Sequence, residues 1–285
     1  MKIAVMSWSF ARDLRSGELS NSEVVRFVHG LGVSGIELMD GLIRDDEFQP
    51  TRAALAETEM KVVCYDLSAD FVMPERADRR AAVEKARRGL ENAARFGAPL
   101  ALVVPGALKA SVSPAVARAW IIEGLRACVP IATRLGLTLT IEDHSSQAAV
   151  YGRSAHLIQI CDAVGPHLAV TYDVGNFLLA REDPLAAADC LAGRIVHAHF
   201  KDWQIVAPSE PPPPRGVVGV DGTRYTGAVL GEGMLDLPGA TTRLQRVGYD
   251  GYVSVEYEGP GDPRATVRRG VDLLQTLLHP TSGEE

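Results

Sequence analysis

Long apolar runs are missing from this chain. No stretch approaches the ~18 consecutive apolar residues that cross a bilayer, which excludes a helical membrane span. Basic runs are missing too. With 29 Lys and Arg against 36 Asp and Glu, the formal net charge is -7, a poor balance for binding nucleic acid or an anionic membrane. Cysteine is scarce. Cys64, Cys128, Cys161 and Cys190 form no C-x-x-C pair. Their apolar contexts read as buried free thiols, which suits a reducing cytoplasm. The opening MKIAVMSWSF reads as a strand and lacks the apolar core of a signal peptide, so a cytoplasmic location is expected. No G-x-G-x-x-G follows an early strand, which leaves a dinucleotide site unsupported.

What is present is a repeat of strand and helix. The 285 residues, 46% hydrophobic, suit one α/β domain over 1–285. KIAVMSWS, GVSGIELM, MKVVCYDL, PLALVVPG, LTLTIEDH, LAVTYDVG, RIVHAHFKD and GYVSVEYE are β-branched and nearly continuous in hydrophobicity, as parallel strands buried on both faces should be. Between them, residues 77–96, 113–135 and 264–278 carry apolar residues at helical spacing. Pro130 is expected to disturb the second of these helices, and Ser20 or Asn21 to cap the first helix of the chain. About eight such repeats predict a (β/α)₈ TIM barrel, with a doubly wound open sheet as the rival. A Pro- and Gly-rich segment at about 203–230 breaks the rhythm and is expected to be a loop at the catalytic rim.

Four side chains end four successive strand-like runs: Glu142, Asp173, His199 and Glu256. Any one of these acids alone reads as a helix cap or a salt-bridge partner. Four on consecutive strands read as the oxygen and nitrogen shell of one divalent cation, since strand ends converge at the C-terminal mouth of a barrel. His199 is preferred to His197 because it lies nearer that mouth, and His197 is assigned to packing or hydrogen bonding in the barrel core. A cation there polarises a carbonyl and acidifies the neighbouring C–H. Glu142 and Glu256, on opposite sides of it, form the acid/base pair. Proton return to the other face gives epimerisation, and return to the other carbon gives isomerisation. Loss of a β-hydroxyl gives dehydration. The ligand set does not choose among them.

TIEDH, TYDVGN, HAHFKD, LGEGMLDLPG and GYDGYVSVEYE resemble the motifs of the sugar-phosphate isomerase/epimerase superfamily, the xylose-isomerase-like TIM barrels. The likeness covers most of the chain and is strongest over 137–259. It implies one divalent cation, Mn²⁺ foremost with Mg²⁺, Co²⁺ or Zn²⁺ as alternatives, held by Glu142, Asp173, His199 and Glu256. It also implies that the two glutamates exchange the protons, and that the chain pairs as a homo-oligomer. The implied activity is an isomerase or epimerase acting on a keto-sugar or polyol. The alternatives are a lyase (inosose dehydratase or keto-glycoside elimination) and a non-catalytic, metal-stabilised sugar-binding barrel. Asn176 stands where many relatives have His. That counts, with only seven histidines in all, against the three-metal endonuclease IV type.

Other candidates sit near the same rim. His144, Asn176, Lys201, Glu37 and Trp8 are candidate substrate contacts. Lys201 can equally pair with Asp202, Glu37 can lie in a buried ion pair, and Trp8 and Phe10 can be core. Asp66, Phe71 and Glu232 carry less weight. No Arg cluster or Gly-rich helix-opening loop marks a phosphate site, although Arg215 and Arg224 of the long loop can supply charge. An unphosphorylated sugar or cyclic polyol is therefore expected.

Overall fold

Strands form where apolar side chains can be buried on both faces: Val62, Val63, Cys64, Tyr65 and Leu67 are all buried in one run. The computed structural model describes residues 1–144, 147–211, 213 and 216–279. Its strands are β1 (Lys2–Met6), β2 (Gly35–Met39), β3 (Lys61–Ser68), β4 (Leu100–Val104), β5 (Thr138–Glu142), β6 (Leu168–Asp173), β7 (Ile195–Phe200), β8 (Asp202–Ile205), β9 (Val217–Val218), β10 (Arg224–Ala228) and β11 (Tyr252–Val255). Eight of them close a parallel barrel in the order β1-β11-β7-β6-β5-β4-β3-β2. Every expected run contributes one stave, and the open-sheet rival is excluded by the pairing of β1 with both β2 and β11.

The helices follow their apolar faces. The helix Arg76–Phe96 buries Ala82, Ala86, Leu90 and Ala93, and stops at Gly97, which takes φ 74°. Ser20 caps the helix Asn21–His29 in a reciprocal box with Glu23. Pro130, expected to disturb its helix, lies inside Pro114–Leu135 without ending it. The buried stripe Ala117, Ile121, Leu125, Cys128 and Ala132 runs past the proline and holds the helix to the barrel. Gly124 of that helix sits on Phe71, where a Cβ would fall 2.4 Å from the ring.

Strand ends differ from the expectation where side chains replace the ladder. β1 stops at Met6, and Ser7–Phe10 form a 3₁₀ turn. Ser7 Oγ accepts from the Met39 amide, and Ser9 Oγ accepts from the Tyr257 amide, so two hydroxyls fasten the neighbouring strand ends.

The segment expected as a rim loop contains a small antiparallel sheet, β8-β10-β9. It buries Trp203 and Tyr225 against Leu179. Its anchor is Asp202, whose carboxylate accepts from the backbone amides of Trp203 (2.9 Å), Gly231 (3.0 Å), Gly233 (3.0 Å) and Leu235 (3.1 Å). Asp202 therefore does not serve as the partner of Lys201. It is 2% exposed and wholly engaged with backbone. A Cβ at Gly233 would lie 2.1 Å from Asp202 Oδ1, which explains the glycine. Asp202→Ala is expected to lower stability by about 1–3 kcal/mol, because these amides lose their acceptor. The loss is read as a lower urea midpoint.

Candidate metal centre and active site

The four candidate ligands meet at the C-terminal mouth. Glu142 is the last residue of β5 and Asp173 the last of β6. His199 pairs across the sheet with Asp173 on one side and Ser254 on the other, so it stands level with both strand ends. Glu256 follows β11 directly. The strands β5, β6, β7 and β11 are consecutive staves, which makes the four side chains an arc with a glutamate at each end. Their ligand atoms all lie within 4.8 Å of one another. His199 Nδ1 is 2.5 Å from Glu142 Oε1, 3.6 Å from Glu256 Oε2 and 4.0 Å from Asp173 Oδ2.

The donor set fits a hard divalent cation. Asp173 Oδ2 and Glu256 Oε2 are buried and have no hydrogen-bond partner. Both stand 2.9 Å from Lys201 Nζ, close enough for ion pairing though not aligned for a hydrogen bond. Glu37, Asp66, Asp143, Asp173 and Glu256 are all buried carboxyls around this point. Buried acids in this number are met by protonation or by cationic charge, and a divalent ion could supply the latter.

The local charges show the same imbalance. Burial pushes Glu256 well above the ordinary carboxyl range, with Lys201 opposing. Burial likewise raises Asp173 to about 6. Glu258 moves the other way: burial disfavours its charge, but Lys201 outweighs that and holds it at about 2. Burial also disfavours the Lys201 ammonium, yet Asp173, Glu256 and Glu258 keep its pKa well above the usual value. His199 is raised too, because Glu37 and Glu142 outweigh its burial.

The candidate substrate contacts separate into two groups. Trp8, His144, Asn176 and Lys201 line a cavity of about 450 Å³ together with Glu142 and Glu256. Lys201 Nζ donates to Glu258 at 2.8 Å, and the Asn176 amide donates to the Asp143 carbonyl at 2.9 Å. Glu37 does not reach the cavity. It is fully buried beneath His199, with Oε2 2.9 Å from His197 Nε2 and both oxygens 3.0 Å from His199 Nε2. Its place on an inward-facing strand position is as expected, but the barrel interior binds it to two histidines instead of a substrate. His197, in turn, is held by Glu37 and stands 3.2 Å from Ser254 Oγ.

Of the weaker candidates, Asp66 lines the cavity, while Phe10 and Phe71 are core. Glu232 pairs with Arg269. Arg224 donates to the Ala207 carbonyl, and Arg215 lies outside the described residues.

Two residues escaped sequence reasoning. Glu258 lines the cavity and holds Lys201; its only signal was the second acid of VEYEG, beyond the strand end. Asp143 accepts from the Asp173 amide at 3.0 Å and so sets the turn that aims Asp173, which in TIEDH looked like a neighbour of Glu142. The opposite cavity wall is apolar, formed by Met6, Met39, Leu102, Val104 and Val217 beside Trp8.

Comparison with known proteins identifies the family of this barrel. Residues 25–277 match the family described as Xylose isomerase-like TIM barrel. An inosose dehydratase from Lacticaseibacillus casei is 33% identical over 93 residues, 32% of this chain and 30% of that protein, so the match spans less than a third of the relative's length. Among solved structures, a D-tagatose 3-epimerase-like protein superposes with a TM-score of 0.76 at 18% identity, covering 98% of this chain and 97% of that one. The apo 3-keto-D-glucoside 4-epimerase from E. coli superposes at 0.73 with 18% identity, covering 97% and 99%. At these identities the superpositions establish the fold.

Proposed function

The chain belongs to the xylose isomerase-like TIM-barrel family, and from that premise we propose that it is a divalent-metal-dependent isomerase or epimerase of a keto-sugar or polyol, working by proton transfer next to a carbonyl. The observation that carries this reading is the arc of four side chains with a glutamate at each end, open to a cavity. Glu142, Asp173, His199 and Glu256 would hold the cation, Mn²⁺ for preference. When bound, it supplies Lewis acidity toward a substrate carbonyl and electrostatic stabilisation of the charge that develops there.

The remaining chemistry belongs to the chain. One terminal glutamate takes the proton from the carbon beside the carbonyl, and the other returns a proton from its own side of the arc. Lys201 keeps positive charge beside Glu256 and Asp173 and faces the cavity, where it can donate to a substrate oxygen. Glu258 holds that ammonium in place. The apolar wall around Trp8 packs on the C–H face of the substrate and keeps water from the acidified carbon. Lys201 is the one Lys or Arg lining the cavity among the described residues, and it is already matched by three carboxylates, which favours an unphosphorylated substrate.

A dehydratase reading uses the same proton abstraction followed by loss of a β-hydroxyl, and the short match to an inosose dehydratase favours it as the second choice. One experiment separates the two. The metal-loaded protein is incubated in deuterated water with ketohexoses, 3-keto-glucosides and inososes. Isomerisation or epimerisation places deuterium in a stereoisomer or positional isomer. Dehydration gives an ultraviolet-absorbing enone. No exchange into any of them would count against both.

Metal removal has its own expected outcome. Stripping divalent ions is expected to abolish turnover and lower the melting temperature, and one equivalent of Mn²⁺ to restore both. Because burial raises Asp173 to about 6, protons compete with the cation below that pH. Mn²⁺ affinity measured by calorimetry should therefore fall as the pH drops through about 6.

A further inference from the structure

Building on the metal-dependent reading above, we infer that Glu37 is a positioning residue that selects Nδ1 of His199 as the cation-facing nitrogen. A neutral imidazole carries one N–H, and whichever nitrogen is held by an acceptor keeps it. Glu37 presents both carboxylate oxygens to His199 Nε2, each at 3.0 Å. An ionised carboxylate only accepts, so Nε2 must donate and Nδ1 is left with its lone pair. That lone pair points at Glu142, Glu256 and Asp173, three further acceptors. A nitrogen lone pair among carboxylates is unfavourable unless a cation or a proton lies between them.

The fold delivers Glu37 to this task from a distance. β2 is separated from β7 by β1 and β11, so Glu37 reaches His199 through the barrel interior and not along a ladder. The β2–β3 register shifts between Ile36 and Glu37, an irregularity of the kind that re-aims a side chain. His197 binds the same carboxylate at 2.9 Å and limits its rotation. Glu37 is fully buried, and among the described residues its ion-pair partners are these two histidines. It has no reach to substrate, so its effect on chemistry passes through His199.

The test uses metal-stripped wild type, Glu37→Gln and His197→Gln, each shown to be folded by circular dichroism. Mn²⁺ is titrated by calorimetry, and the histidine rings are followed by ¹⁵N resonance. Gln must offer one of its faces as a donor, which unlocks the tautomer. Glu37→Gln is expected to weaken Mn²⁺ binding by about 10–100-fold and to mix the His199 tautomers. His197→Gln, which can still donate to Glu37, is expected to change the affinity far less and to keep Nε2 protonated. Wild-type binding of one Mn²⁺ with unchanged affinity in Glu37→Gln overturns the inference alone. A wild type that binds no divalent ion overturns the metal reading and this inference with it. Two ions per chain would make Glu37 a ligand and also overturn it. Should the Glu37 variant fail to fold, the wild-type tautomer decides: a proton on Nδ1 of His199 in the metal-loaded protein refutes the assignment.

Discussion

Glu256→Gln is expected to lower turnover by about 10²–10⁴-fold while leaving part of the solvent exchange intact. Glu256 and Glu142 stand at the two ends of the arc, and on the proposed reading each would serve one face of a bound ketose. Gln keeps the shape and an oxygen for the cation but cannot take a proton. A two-base site that loses one base can still exchange the proton on the other face, yet cannot invert the centre. Glu256→Gln and Glu142→Gln should therefore retain exchange on opposite stereoisomers of one substrate pair. Deuterium incorporation into each isomer, normalised to bound metal, reads this directly. Equal residual exchange into both isomers by both variants would argue for a single base.

Lys201→Met should destabilise the metal-free protein by about 3–5 kcal/mol, the usual consequence of leaving buried charges without their partner. The lysine is 4% exposed and stands within 2.9 Å of three carboxylates. Without it, Asp173 and Glu256, already raised by burial, rise further, and Glu258 loses the charge that holds it low. The native state then binds more protons than the unfolded one, so the deficit should deepen as the pH rises above about 4. Mn²⁺ should offset part of the loss, since a cation held by the candidate ligands, Asp173 and Glu256 among them, would replace the missing charge. Urea unfolding with and without Mn²⁺, at low and neutral pH, measures each part. An equal loss under all four conditions would mean that packing of the lysine stem matters and its charge does not.

Much of the fold was legible because its signals are local. Eight apolar runs punctuated by glycines after helices need no knowledge of partners to be seen as staves. The candidate ligands were legible for a related reason. A carboxylate or imidazole at the end of a buried strand is costly wherever the strand lies, so its presence marks a purpose before its neighbours are known. The small sheet within the rim segment was not legible, because the segment's composition argues only against a helix. Whether Asp202–Ile205 finds Arg224–Ala228 depends on Asp202 gathering the amides of Gly231, Gly233 and Leu235, a contact across some thirty residues.

Glu37 shows where the boundary runs. Its residue type and strand position marked it as an inward-facing acid, and either a substrate or a buried partner was compatible with that. Only closure of the barrel brings residue 37 against residues 197 and 199. The same holds for Lys201 and Glu258, whose pairing across β7 and the end of β11 depends on strand order. Periodicity, burial cost and turn chemistry act over a few residues, so the sequence by itself determined the staves, the helices between them and the acids at their ends. Hydrogen bonds and charge pairing depend on a few tenths of an ångström between groups far apart in the chain. Only the closed barrel decided which acid faces the cavity, which one steadies a histidine and which one holds the lysine.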